Sequence, residues 1–204
     1  MREKIVNKLI NFLKKYKTYT NDEEEILKYG LESLYILITK SVIIFSIAFL
    51  LNIGFEVLIF ALIYNLIRKY SFGLHATKSW ICLVSSLFIF LIIPLVCKYI
   101  VINIYVKSII GAFFITQIYI NSPADTYKRP IINQKRRNKF KFLSTIIAIT
   151  LIFTSILINN NFISNCCLFS VILQSFIISP YIYKLFKLPY NNYLNYINNN
   201  LTEA

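Results

Sequence analysis

Six stretches of mainly apolar residues alternate along this chain with short polar or basic connections. They run Leu31–Leu51, Ile53–Ile67, Trp80–Cys97, Ile100–Ile120, Phe142–Ile158 and Phe162–Tyr181. A helix needs about 20 mainly apolar residues to cross the hydrocarbon core of a bilayer, and fewer where the bilayer thins around it. The pattern predicts an all-α, polytopic integral membrane protein with about six transmembrane helices. The second stretch is short, and Asn52 and Gly54 imply a tight hairpin with the first. Hydropathy alone leaves a four-span arrangement open, with two segments re-entrant or on the surface.

The first thirty residues have a different rhythm. Ile5, Leu9, Phe12, Leu13 and Tyr16 fall on one helical face, with Lys4, Lys8, Lys14, Lys15 and Lys17 around it. That pattern predicts an N-terminal amphipathic helix lying on an anionic membrane surface. Charges throughout this region leave no uninterrupted apolar core for a cleavable signal peptide. Thr20-Asn21-Asp22-Glu23-Glu24-Glu25 reads as a new helix start, with Thr20 or Asn21 as cap and acids in the first turn. The expected division is 1–30 as a cytoplasmic amphipathic region, 31–185 as a transmembrane domain and 186–204 as a cytoplasmic tail. From Tyr190 onward the sequence is rich in Asn and Tyr and predicts weak order.

Composition narrows the class. Of 204 residues 57% are hydrophobic and 15% charged, which excludes a soluble globule. A formal net charge of +13 would suggest nucleic acid in a soluble protein. Here the cations concentrate in alternate connections, Arg68, Lys69 and Lys78 in one and Lys128, Arg129, Lys135, Arg136, Arg137, Lys139 and Lys141 in another. The N-terminus and the segment carrying Lys184 and Lys187 are basic too, whereas Asn52-Ile53-Gly54 and Asn159-Asn160-Asn161 are uncharged. Cytoplasmic loops of membrane proteins carry the Lys/Arg excess. Six spans with both termini in the cytoplasm place every basic segment inside, and topology explains the charge without nucleic acid. Cys82, Cys97, Cys166 and Cys167 lack metal-ligand spacing and form no secreted disulfide framework. No metal or cofactor is expected, and buried packing is the default for all but Cys82.

The candidate chemistry sits at the edge of the third stretch, in Arg68-Lys69-Tyr70-Ser71-Phe72-Gly73-Leu74-His75-Ala76-Thr77-Lys78-Ser79-Trp80-Ile81-Cys82. His75 is the chain's only histidine, and Cys82 follows seven positions later. Histidine exchanges a proton near neutrality, and a cysteine in its reach can act as a thiolate nucleophile. In one continuous helix the two would lie about 10.5 Å apart along the axis, too far for a hydrogen bond. A joint role therefore requires a break. Gly73 permits one, and Ser79 suits an N-cap that would place Cys82 in the first helical turn. Glu56 and Asp125 are the candidate carboxylates to orient the histidine, and Trp80 suits a headgroup anchor. Spacing alone also admits a bland reading, with His75 an interfacial polar residue and Cys82 mere packing.

Arg68 followed by Gly73-Leu74-His75-Ala76 and then Cys82 resembles the signature of the AgrB family, the accessory gene regulator B proteins. A second match lies downstream, where Ser122-Pro123-Ala124-Asp125-Thr126 with Lys128-Arg129-Pro130 resembles that family's Pro-Asp-rich loop with its basic–Pro end. Phe72 departs from the pattern, standing where the family usually has a second glycine.

The resemblance implies a bacterial cell-membrane cysteine endopeptidase with Cys82 as nucleophile, His75 as general base and then acid, and Arg68 and Gly73 in support. Its substrate would be an AgrD-like propeptide, cleaved ahead of an acidic C-terminal tail and closed into a thiolactone or lactone. Asp125, Lys128, Arg129, Arg136 and Arg137 are the candidate substrate-binding residues, the arginines suiting carboxylates of the tail. The other expected partner is an anionic lipid membrane, with homodimer formation left open. A peptide exporter and a non-enzymatic scaffold are the alternative readings.

Overall fold

A computed structural model describes residues 2–74, 79–126 and 130–194. Eight helices are found among them: α1 (Arg2–Leu13), α2 (Asn21–Leu50), α3 (Gly54–Ser71), α4 (Ser79–Tyr99), α5 (Ile104–Asn121), α6 (Gln134–Leu157), α7 (Asn161–Ile178) and α8 (Pro180–Leu185). The described residues form no sheet, and an isolated bridge joins Phe72 to Ala124. The all-α polytopic expectation holds. Helices α2, α4, α5, α6 and α7 are long and apolar enough to cross a membrane. Helix α3 has 18 residues and is apolar between Val57 and Ile67, but carries Glu56, Arg68 and Lys69 near its ends.

Local signals set most helix ends. Thr20 caps α2 through a capping box: its side chain accepts from the Glu23 N–H, and Glu23 accepts from the Thr20 N–H at 3.1 Å. Asn103, Asn133 and Asn160 cap α5, α6 and α7 with their side-chain oxygens. The Asn103 cap explains why α5 starts four residues later than the apolar run at Ile100 suggests. Helix α4 already includes Ser79, so Ser79 is not the cap. Cys82 is the fourth residue of α4, still within its first turn. Helix α3 continues past the apolar run to Ser71, because nothing interrupts it before Gly73.

The core is built around α7, which packs against α3, α4, α5, α6 and α8. Ser164, Cys166, Cys167, Ser170 and Ser175 are buried along it. Small side chains of this kind let helices approach closely where no hydrophobic effect separates helix from lipid. Gly111 does the same between α5 and α6, where a Cβ would stand 2.5 Å from Ile152 Cγ2. Phe60, Tyr64, Ile67, Ile118, Leu168, Val171 and Ile178 complete the main cluster. A second seam, Ile44, Ala48, Ile53 and Val57, joins α2 to α3 across the tight turn at Asn52 (φ 56°). The three remaining cysteines are buried, as expected.

Helix α1 forms where the sequence predicts it, and Val6 and Ile10 are its buried positions. It packs on α2, while Ile5, Leu9, Phe12 and Tyr16 stay exposed. An apolar face left outward in this way suits a lipid surface.

The C-terminal segment differs from expectation. Residues 190–194 are not a loose tail: Asn192 is buried, and its backbone N–H donates to Asp125 Oδ1 at 3.1 Å. Residues 195–204 lie outside the described residues.

Candidate functional site

Arg68 organises the chain at the end of α3. Its Nη1 donates to the Phe72 carbonyl at 2.5 Å and its Nη2 to the Leu74 carbonyl at 2.9 Å. A guanidinium suits this task because it presents several donors in a fixed fork and keeps its charge at the negative end of the helix dipole. Gln174 from α7 adds a second donor to the Phe72 carbonyl at 2.8 Å. Together they hold residues 72–74 in a non-helical path between α3 and α4, which is the break that a joint role of His75 and Cys82 requires.

Gly73 is needed on that path. Its φ is +114°, and a Cβ would stand 2.7 Å from Arg68 Nη1 and 3.0 Å from Ile177 Cγ2. Any side chain would displace the guanidinium that holds the loop. Phe72 also has a positive φ, 56° with ψ −132°. Glycine reaches that region without steric cost, so the family's usual second glycine matches the backbone found here. The Phe72 ring instead packs edge-on against Phe140 of α6, centroids 5.1 Å apart.

The same loop is stitched to the downstream one. Gly73 N–H donates to the Ala124 carbonyl at 2.9 Å, and Ala124 N–H donates to the Ser71 carbonyl at 3.0 Å. The two stretches that carry the family resemblance, 53 residues apart when measured from Ser71 to Ala124, therefore meet in space. Hydrophobic periodicity carried no sign of this pairing.

Asp125 follows directly and is almost fully buried. Its Oδ2 takes an ion pair from Arg137 at 3.3 Å and backbone N–H donors from Tyr193 at 3.0 Å and Ile131 at 3.4 Å. Its backbone carbonyl accepts from the Tyr183 hydroxyl at 3.1 Å. Burial pushes the Tyr183 phenol well above its usual range, so this donor keeps its proton. Asp125 thus ties the downstream loop to α6, α8 and the C-terminal segment. Arg137 is held with it, packed over the Tyr193 ring at 3.5 Å. Arg136 remains exposed, its guanidinium over Phe140. Lys128 and Arg129 lie outside the described residues, as does His75.

Glu56 is removed from the site altogether. It pairs with Lys98 at 2.5 Å, joining the first turn of α3 to the last turn of α4. Twelve helical residues separate it from Arg68, about 18 Å of rise.

Cys82 faces a cavity of about 590 Å³. Its walls are mainly apolar, from α2, α3, α4 and α7, with Ile182, Phe186 and Leu188 closing one side. The polar residues on its wall include Lys40, Ser41, Asn65, Arg68, Ser85 and Ser86. Lys40 Nζ lies 3.6 Å from Cys82 Sγ. A mainly apolar pocket with a few converging polar groups is the usual form of a small-ligand or peptide site. Sequence reasoning missed Lys40 and Gln174. The signal was available in both cases, since each is a charged or amide side chain inside a long apolar stretch. Among the described residues no group of His, Cys, Asp and Glu is placed to hold a metal ion.

Known proteins resemble this chain over most of its length. An AgrB-like protein of Listeria innocua is 33% identical over 180 residues, which covers 87% of this chain and 88% of that one. One from Clostridium acetobutylicum is 28% identical over 172 residues, covering 83% and 81%. Accessory gene regulator protein B of Staphylococcus aureus is 29% identical over 157 residues, covering 77% and 82%. No solved structure matches the chain. The Accessory gene regulator B family profile matches residues 6–178, from the buried face of α1 to the last residue of α7, and the chain belongs to the AgrB family.

Proposed function

We propose that this AgrB-family membrane protein is a cysteine endopeptidase that cleaves an AgrD-like propeptide and promotes its ring closure. Family membership supports a role in quorum-sensing processing. The observation that carries the finer reading is the position of Cys82: first turn of α4, on the wall of the cavity, across a non-helical break from the segment that leads to His75.

In this reading His75 takes the thiol proton and Cys82 Sγ attacks the carbonyl carbon ahead of the propeptide's acidic tail. The C–S bond forms as the C–N bond breaks, and the leaving amine takes the proton back from His75. The tail departs and an acyl-thioester remains on Cys82. A cysteine or serine within the peptide then attacks the thioester carbonyl, closes a thiolactone or lactone, and returns the proton to the Cys82 sulfur. A mainly apolar cavity favours ring closure over hydrolysis by limiting water.

Residues 31–185 form the peptidase body in this scheme, with 1–30 as a cytoplasmic interfacial region and 186–204 as a cytoplasmic tail. The segments bearing Lys69 and Lys135 face the cytoplasm, where a newly made peptide arrives. The exposed cations that begin α6, Lys135 and Arg136, attract the acidic tail.

The test is intact-mass analysis of the protein mixed with a candidate propeptide. The wild type should give a shortened peptide and a covalent adduct, and Cys82→Ala neither, while alanine at Cys97, Cys166 or Cys167 should leave most activity. Full cleavage by Cys82→Ala would end the proteolytic reading.

A further inference from the structure

Lys40 is the only charged residue of α2 beyond Glu32. A lone ammonium inside an apolar span is costly, and such groups face the protein interior and take a partner there. The carboxylate ion pairs among the described residues involve Lys14, Lys17, Lys98 and Arg137, not Lys40. Its one recorded side-chain partner is Cys82 Sγ at 3.6 Å, inside the distance allowed for a hydrogen bond to sulfur.

Among the described residues that line the cavity there is no carboxylate. The polar residues of the cavity wall are Arg68, Tyr64 and Asn65 from α3, Ser85 and Ser86 from α4, and Lys40 and Ser41 from α2. Arg68 is turned to the carbonyls of Phe72 and Leu74. Among the described residues, Lys40 is the cation whose ammonium faces the sulfur.

We propose that Lys40 is a third catalytic residue of the cysteine site: its ammonium donates to Cys82 Sγ and balances the negative charge on the sulfur when it attacks. The inference rests on the reading of Cys82 as nucleophile. The thiol proton passes to His75 and from there to the leaving amine. A cation at this spot acts more strongly than one in water, because the cavity walls are poor in dipoles that would screen it. It also acts on the sulfur rather than on the substrate, so it serves both the attack and the later return of the sulfur as leaving group. A thioester expels the sulfur more readily when the departing charge is matched.

Iodoacetamide alkylation of Cys82 in the lipid-embedded full chain, followed by peptide mass spectrometry across pH, tests this without a propeptide. Lys40→Met should react about tenfold more slowly than wild type near pH 7, a displacement of about one pH unit. The gap should close near pH ~9.5, where thiols ionise unaided. Lys40→Arg should stay within about threefold of wild type, since it retains the charge. Lys40→Gln, a second neutral variant, must give the same displaced profile as Lys40→Met. Profiles that coincide with wild type overturn the proposal, and so does slowing by one constant factor at every pH, which would report lost access instead. The two readings fail separately. Cleavage by Cys82→Ala sinks the endopeptidase reading, whereas an inactive Cys82→Ala together with coincident alkylation profiles sinks only the role of Lys40.

Discussion

Two loops meet at the Phe72–Ala124 bridge, and they are held in opposite ways. The loop after α3 is fixed by a cation on neutral carbonyls: Arg68 binds Phe72 and Leu74, and no carboxylate neutralises it among the described residues. The loop after α5 is fixed by a buried anion, Asp125, whose charge is cancelled by Arg137 and saturated by backbone donors. A buried ion pair with backbone donors around it is suited to closing the loop onto α6 and the C-terminal segment. An arginine balanced only by carbonyl dipoles keeps its positive field in the adjoining cavity, where Cys82 and Lys40 also stand. In the proposed function the first loop carries chemistry and the second architecture.

Gly73→Ala should produce the largest separation between them. Its φ of +114° is strained for any residue with a Cβ, and that Cβ would meet Arg68 Nη1 at 2.7 Å. Displacing the guanidinium releases the loop that leads to His75, and misplacement of about 1 Å in a site can cost roughly a hundredfold in rate. Propeptide cleavage should fall by about that factor, while helix content by circular dichroism stays unchanged. Near-normal cleavage would show that the loop tolerates being moved.

Asp125→Asn should show the converse. It leaves Arg137 without its counter-charge in a site where the two side chains are only 12% and 1% exposed. Removing one partner of a buried pair costs about 3–5 kcal/mol, which should appear as a lower melting temperature in detergent. Cleavage per folded molecule should change far less than in Gly73→Ala. A stable but inactive Asp125→Asn would move Asp125 from architecture to chemistry and erase the contrast.

Much of this arrangement is legible in the sequence, but unevenly. Helices α2 to α7 follow the apolar runs because a bilayer leaves backbone groups few alternatives to a helix. The cap at Thr20 is readable because an acid stands three residues later. The break between α3 and α4 is readable from Gly73. The roles of Glu56 and Asp125 are not, because both are set by partners distant in sequence: Lys98 is 42 residues from Glu56, and Asn192 is 67 from Asp125. The same holds for the C-terminal segment. Its Asn- and Tyr-rich composition suggests weak order, yet Tyr190 and Asn192 find buried partners, which no local rule anticipates. Lys40 stood in plain view as a lone charge, and only the fold reveals that it faces sulfur.

Arg136→Gln should have a smaller effect on the chemistry-bearing side. Arg137 is held by Asp125, so the attraction for an acidic tail falls to the exposed cations at the start of α6. Exposed charges act over a Debye length of about 8 Å at physiological salt, so KM should rise about two- to fivefold and the difference should fade as salt increases. A peptide whose tail acids are neutralised should show no such rise. Equal losses for both peptides would confine α6 to folding or insertion.

Phe72→Gly should be the smallest perturbation, and it tests whether the loop's shape or its side chain matters. Phe72 holds φ 56° and ψ −132°, a region that glycine enters freely and that costs other residues about 1–3 kcal/mol. Relieving that cost favours the variant. Against it stand the edge-on contact with Phe140, of the kind that contributes about 0.5–1.5 kcal/mol, and the added backbone entropy of glycine in the unfolded chain. The terms are of similar size and opposite sign, so stability should change by less than about 1 kcal/mol. Cleavage should stay within about threefold of wild type, because the Arg68 and Gln174 donors bind the backbone carbonyl of residue 72 and not its ring. A large loss of activity with unchanged stability would mean that the Phe72 ring itself shapes the site, and the loop would then be more than a backbone held by Arg68.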